Sequence, residues 1–202
     1  MGIDYMNSPM VAKRLRYVIA SMIAVTLPAI SAEELRIYSN QEFGFGFQYP
    51  ASWSVSPPLT SNSRAKVVSP TNTPHAECAV IVQRYPQASS VSQSDIDQLF
   101  AEPPSSSELR SALSQGFNDV EILAVSVGAL HSHPAQLARV RYSAGTPSGQ
   151  AFVSGRMAMT ATPGLTWTLS CGGQGNTPAD AEKNFQFWQL EINRIVSSFR
   201  FK

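Results

Sequence analysis

Four β-prone segments follow one another between Val120 and Gly172, and the links between them are long enough only for turns. The segments are Val120 to Leu130, Ala135 to Ala144, Gln150 to Thr162 and Leu165 to Gly172. Their links fall at His133-Pro134, at Gly145-Thr146-Pro147-Ser148-Gly149 and at Pro163-Gly164. A parallel crossover needs about a dozen residues or more, so these strands are antiparallel neighbours in a meander. Such a sheet must bury at least one face, and the rest of the chain has to cover it.

The C-terminus supplies a cover. Thr177 is a strong N-cap, Pro178 suits the first helical position, and Asp180 lies near the positive end of the dipole. Ala181, Phe185, Trp188, Ile192, Ile195 and Phe199 recur at steps of three and four, which predicts one long helix with a single apolar side. Those aromatic residues read as core. The polar stretch Pro86 to Gln115 predicts two short helices joined through Pro103-Pro104, one capped by Ser94 and the other by Ser106 or Ser107. Ile96, Leu99 and Phe100, then Leu109 and Leu113, give them apolar faces.

Upstream, Arg36 to Ser39 and Gly44 to Tyr49 are short β-prone runs, turned at Pro50-Ala51-Ser52 and resumed from Trp53 to Val55. Arg64 to Ser69 and Glu77 to Tyr85 are further strands, separated by a loop over Pro70-Thr71-Asn72-Thr73-Pro74. Together they predict an antiparallel hairpin or meander. At 202 residues and 43% hydrophobic content, the chain can bury one sizeable core.

Residues 1–32 read as a cleavable export signal. Lys13, Arg14 and Arg16 precede the apolar stretch Tyr17 to Leu27, then Pro28 and the small-residue exit Ala29-Ile30-Ser31-Ala32. Cleavage is expected after Ala32, leaving a single domain over 33–202, and translation could start at Met1, Met6 or Met10. An uncleaved anchor is the alternative, but a membrane span needs about 20 apolar residues and this stretch is shorter. No stable membrane insertion is expected after cleavage. No cysteine follows the stretch to carry a lipid. Loss of the segment takes three basic and one acidic residue from 15 and 14, leaving a formal charge of −1 with no basic excess for nucleic acid. Charged residues are 14% of the chain against about 25% in ordinary soluble proteins, which suits an exported surface. The expected location is periplasmic or secreted.

Cys78 and Cys171 both fall inside strands. In an oxidising compartment an even pair is most simply a disulfide, and two buried free thiols are the alternative. Neither has a His or acidic cluster beside it, which disfavours a catalytic cysteine.

The segment Phe45-Gly46-Phe47-Gln48-Tyr49-Pro50-Ala51-Ser52-Trp53 places aromatic residues at period two before Tyr-Pro and a Trp. It resembles the opening motif of PsbP-like proteins, of the PsbP/Mog type, and the ending Ile195-Val196-Ser197-Ser198-Phe199 resembles how those domains close. The resemblance spans nearly the whole of 33–202 and marks the chain as similar to exported bacterial members. It implies an α+β fold: an α/β/α sandwich with a central, mainly antiparallel sheet, the C-terminal helix on one face and the mid-chain helices on the other. It also implies a binding or assembly role, since the family includes an extrinsic subunit of the oxygen-evolving complex, a Ran-binding nuclear transport factor and small bacterial envelope proteins. The motif residues Phe45, Phe47, Tyr49, Pro50 and Trp53 are structural: Pro50 cannot continue a central strand, and Trp53 can fill the corner. The chain lacks the long charged patch that docking on a photosystem or on Ran would use.

The residues alone offer few chemical candidates. His131 and His133 form a His-x-His pair, a spacing that zinc or copper sites use on a strand, but they sit at an expected turn. The nearest partners by type are His75 and Glu77, so an exposed turn is the first reading and a metal site the second. No Gly-x-Ser-x-Gly elbow occurs, and Gly172-Gly173-Gln174-Gly175 lacks the residues of a phosphate loop and reads as a loose strand-to-helix link. Asp95 and Asp97 point to different sides of a helix, which leaves acid/base chemistry without a carrier. Arg139 and Arg141 share one face of a strand whose other face holds Val140 and Tyr142, and a solvated cationic face is expected there. The expectation is a non-catalytic protein without a cofactor that binds a protein partner in the envelope through a sheet edge or loops, its oligomeric state open. A small-molecule or metal-binding protein, or an enzyme with an unrecognised cleft, is the competing class.

Overall fold

The computed structural model describes residues 34–57, 60–146 and 149–202, which fall in one compact unit, Glu33–Lys202. The expected export signal lies outside the described residues.

The large sheet has seven strands: β3 (Ser54–Val55), β4 (Ser63–Val68), β5 (Ala76–Arg84), β6 (Asn118–Leu130), β7 (His133–Thr146), β8 (Gly149–Thr162) and β9 (Leu165–Gly175). Its order is β3-β4-β5-β9-β8-β7-β6, and every neighbouring pair is antiparallel. The meander over β6 to β9 is therefore as short links require. β5 joins it on β9, where Cys78 and Cys171 stand directly opposite each other with Cα atoms 4.0 Å apart and form a disulfide.

The opening hairpin stays out of this sheet. β1 (Leu35–Asn40) and β2 (Phe45–Pro50) pair with each other through a turn at Gly44, whose φ of 64° suits glycine. The final strand β10 (Arg200–Phe201) pairs with the other side of β2, giving a separate three-stranded sheet. Packing explains the separation. Phe45, Phe47 and Tyr49 are all buried, and Phe45 stacks on Phe199 and meets Trp167 edge-on. The hairpin is thus part of the core's wall. Pro50 ends β2, and Trp53 is 1% exposed, perpendicular to Trp188 at 5.3 Å, so it fills the corner as its size suggests.

Four α-helices and a 3-10 turn over Pro86–Ala88 complete the described structure, the α-helices being α1 (Gln93–Phe100), α2 (Ser106–Leu113), α3 (Pro178–Phe187) and α4 (Gln189–Ser198). α3 packs on β8 and β9, and α4 packs on β2 and β9, over one face of the large sheet. Val67, Val80, Val82, Trp167 and Leu169 bury there against Phe185, Ile192, Ile195 and Phe199. Each such side chain contributes about 1.5–3 kcal/mol by leaving water. α1 and α2 pack on β6, β7 and β8, and Leu109 of α2 meets Ala138, Val140 and Met157 on the opposite face. The α/β/α layering is thereby complete, with the small sheet added to its α3/α4 side.

Three local expectations need correction. The first mid-chain helix is capped by Ser92, not Ser94, because Ser92 keeps an extended backbone and its hydroxyl accepts from the Asp95 N–H. The second is capped by Ser105, not Ser106 or Ser107, by the same bond to Glu108. The C-terminal helix is two helices. The apolar steps continue through Trp188, but its backbone leaves the helical region at φ −99° and ψ 12° while its indole seats against Trp53 and donates to the Pro74 carbonyl. Phe199 lies beyond α4 in an extended conformation and is fully buried. Thr177 caps α3 as its sequence indicates, accepting from the Asp180 N–H.

Candidate functional site

Gly172-Gly173-Gln174-Gly175 is strand, not a loose link, because β9 runs on to Gly175. The missing side chains let α3 lie against the sheet. A Cβ on Gly173 would meet the Phe185 nitrogen at 2.1 Å, and one on Gly175 would meet Asp180 Cβ at 2.5 Å. The run packs a helix.

Directly beneath α3, the two arginines are not a solvated face. Arg139 and Arg141 are both bonded to Glu182 of α3, whose Oε2 also accepts from the Ser154 hydroxyl at 2.6 Å. The Arg139 guanidinium lies 3.9 Å from the Phe185 ring centroid. Burial opposes ionisation of Glu182, yet the Ser154 bond, the Arg139 charge and the bonds from Arg141 and Gln186 outweigh it and bring the carboxyl down to about 2. Burial lowers the Arg139 pKa, with Glu182 opposing. This cluster clamps α3 to the sheet, with Glu121 3.6 Å from Arg141 as the second carboxylate. Sequence spacing found the shared face of the arginines, but the acid lies about forty residues away in the chain and carried no local signal.

His131 and His133 flank one aromatic residue. Their ring centroids lie 6.1 and 5.3 Å from that of Phe201. His131 has a φ of 58° in the β6–β7 turn, and its Nδ1 accepts from the Phe201 N–H. His133 Nδ1 lies 3.3 Å from Asp97 of α1. The two rings thus join β7 to β10 and α1, while His75 stands exposed elsewhere and Glu77 is paired with Lys66. Among the described residues no group of three His, Cys, Asp or Glu is placed to hold a metal.

Two features remain for binding. The first is an edge. The large sheet ends on one side at β3, two residues long, and on the other at β6, thirteen residues long and, among the described residues, paired with β7 alone. From Ile122 to Leu130 this edge has no charge and no proline, and Leu123 and Val127 are 37% and 38% exposed. Natural sheets usually blunt such an edge with charge or proline. Here register shifts fall at Asn118/Glu121 and Ile122/Ala124, and Asp119 has a φ of 52°.

The second is a cleft on the sheet face opposite α3 and α4, of about 230 Å³, beyond the area that α2 covers. Ala79, Ile81 and Met157 form its floor, with Phe117 and Tyr142 on the β7 side. Lys66, 8% exposed, closes the β4–β5 side and is neutralised by Glu77 at 2.6 Å. Lys66 was the visible sequence signal, a single charge inside the apolar run Ala65 to Val68.

A seven-stranded antiparallel sheet between two helical layers, preceded by an aromatic hairpin and followed by the C-terminal helices α3 and α4, is the PsbP-like sandwich, and the fold expected from the opening motif is the one the chain has. No protein-family model and no curated protein matches the sequence. Among solved structures, cyanobacterial PsbP (CyanoP) from Synechocystis sp. PCC 6803 is similar at a TM-score of 0.54 and 15% identity, over 88% of this chain and 98% of that one. LpqN, described as involved in cell envelope biogenesis of Mycobacterium tuberculosis, gives 0.45 at 11% identity over 84% and 91%. The Saccharomyces cerevisiae Ran-binding protein Mog1p gives 0.46 at 10% over 84% and 96%. At 15% identity the likeness to CyanoP speaks to fold alone. None of the helices among the described residues is long and apolar enough to cross a membrane.

Proposed function

We propose that the chain is an exported, non-catalytic domain that acts in the periplasm or outside the cell and binds a protein partner by adding that partner's strand to the β6 edge. The observation that carries this reading is the uncharged, proline-free edge from Ile122 to Leu130, whose outer main-chain groups have no ladder partner among the described residues. Main-chain hydrogen bonds would supply affinity there, and Leu123 and Val127 would supply side-chain contact. The Cys78–Cys171 disulfide fits an oxidising compartment, as does the basic and apolar start of the chain. A non-catalytic role fits the way the polar groups are used. Among the described residues no hydroxyl or thiol is bonded to the His133–Asp97 contact, and the arginines are bonded to Glu182.

The test is a photo-crosslinking residue placed at Leu123, with one at the exposed Ile37 as control, in cells that export the protein. A specific envelope adduct from position 123 that Val127→Lys removes is the expected result. Adducts of equal pattern from both positions, or a purified chain that keeps its first 32 residues, would overturn the reading.

A further inference from the structure

The cleft on the open sheet face is independent of the β6 edge, and its chemistry narrows what can occupy it. Its volume of about 230 Å³ exceeds the roughly 150 Å³ that admits benzene in an apolar protein cavity, so it has room for a substituted ring. Its floor of Ala79, Ile81 and Met157 offers only apolar contact. Charge is balanced within it, because Lys66 and Glu77 bond to each other. An ionised ligand would lose its hydration without gaining an unpaired counter-charge. Three hydroxyls of the lining, those of Thr60, Ser170 and Tyr142, make no hydrogen bond among the described residues, and of these Tyr142 is the one on a ring held in place, packed on Phe117 at 4.3 Å between centroids. Burial, with the nearby Glu77 charge, raises the Tyr142 pKa to about 12, so the phenol keeps its proton and is a donor at any physiological pH.

We propose that this cleft is a binding site for one small, neutral, largely apolar molecule that carries a single hydrogen-bond-accepting oxygen, its body on Ala79, Ile81 and Met157 and its oxygen on the Tyr142 hydroxyl. Neutral aromatic ketones, ethers and alcohols of about ten heavy atoms belong to this class. Site and ligand need no partner protein, so the site stands or falls apart from the edge.

Acetophenone is the probe, titrated into the isotope-labelled full protein while backbone amide shifts are followed. Ethylbenzene has the same carbon skeleton without the oxygen, and benzoate has the charge. Saturable shifts at Ala79, Ile81 and Tyr142 are expected with acetophenone. Ethylbenzene should bind at the same amides about fivefold more weakly, the loss of one neutral hydrogen bond. Tyr142→Phe should bring acetophenone to the level of ethylbenzene and leave ethylbenzene unchanged. Ala79→Leu, which fills the floor without touching the phenol, should abolish both. Benzoate binding as tightly as acetophenone would overturn the proposal, as would shifts that do not saturate or that lie outside the cleft. So would equal affinities for acetophenone and ethylbenzene in the unsubstituted protein, because the tyrosine would then have no part.

Discussion

A Cβ built on Gly173 would stand 2.1 Å from the backbone nitrogen of Phe185, so β9 and α3 meet main chain against main chain. Neither backbone can give way without lifting α3 from the sheet. Gly173→Ala is expected to destabilise the protein by on the order of 3 kcal/mol, read as a lower urea midpoint. Gly116, with nothing within 4 Å of its Cβ position, is the control, and Gly116→Ala should stay within about 0.5 kcal/mol. Equal effects at the two positions would refute this account of the packing.

Glu182 gives the protein an acid-sensitive clamp. Its folded carboxyl titrates at about 2, against 4.5 for the free group, so its contribution is present above 4.5 and is lost as pH falls from 4.5 towards 2. Glu182→Gln should cost about 2 kcal/mol at neutral pH, leaving Arg139 without its counter-charge and Arg141 with Glu121 alone. The variant's stability should also fall less steeply than the unsubstituted protein's between pH 4.5 and 2. Chemical denaturation across that window checks both statements, and parallel curves would exclude Glu182 as the titrating group.

The Cys78–Cys171 bridge closes a loop of 93 residues between two central strands. Its loss, through a Cys78→Ala/Cys171→Ala double substitution, should cost about 4 kcal/mol on the chain-entropy argument. Titration of free thiols in denaturant without reductant should find none. Two titratable thiols in protein taken from an exporting host would contradict the bridge.

The two tryptophans of the corner differ in one hydrogen bond. Trp188 donates its indole N–H to the Pro74 carbonyl, while the buried Trp53 N–H has no partner among the described residues. Both substitutions to Phe remove similar volume, but Trp188→Phe also breaks a bond and Trp53→Phe removes an unsatisfied donor. Trp188→Phe should therefore be the more destabilising by about 1–2 kcal/mol in thermal or urea unfolding. The reverse order would show that the Trp53 N–H is bonded in solution.

Local chemistry alone determined much of this protein. Short links made the β6–β9 strands antiparallel, the Thr177 cap and Pro178 started α3, and the aromatic alternation of Phe45, Phe47 and Tyr49 marked a buried strand, because turns, caps and periodicity act within a few residues. Tertiary contact decided the rest. The break at Trp188 follows from a ring seated against Trp53, and the fate of Arg139 and Arg141 from an acid that α3 brings over the sheet. The glycines after Cys171 proved to be a landing strip for a helix, and β2 left the large sheet because three aromatic rings are buried better as a wall. The cleft has the same origin. Lys66 and Glu77 are visible in the chain, but their pairing, and the Tyr142 hydroxyl across from them, exist only once five strands lie side by side. Partners separated by forty or more residues leave no periodic trace, since any intervening length can return the chain to the same place.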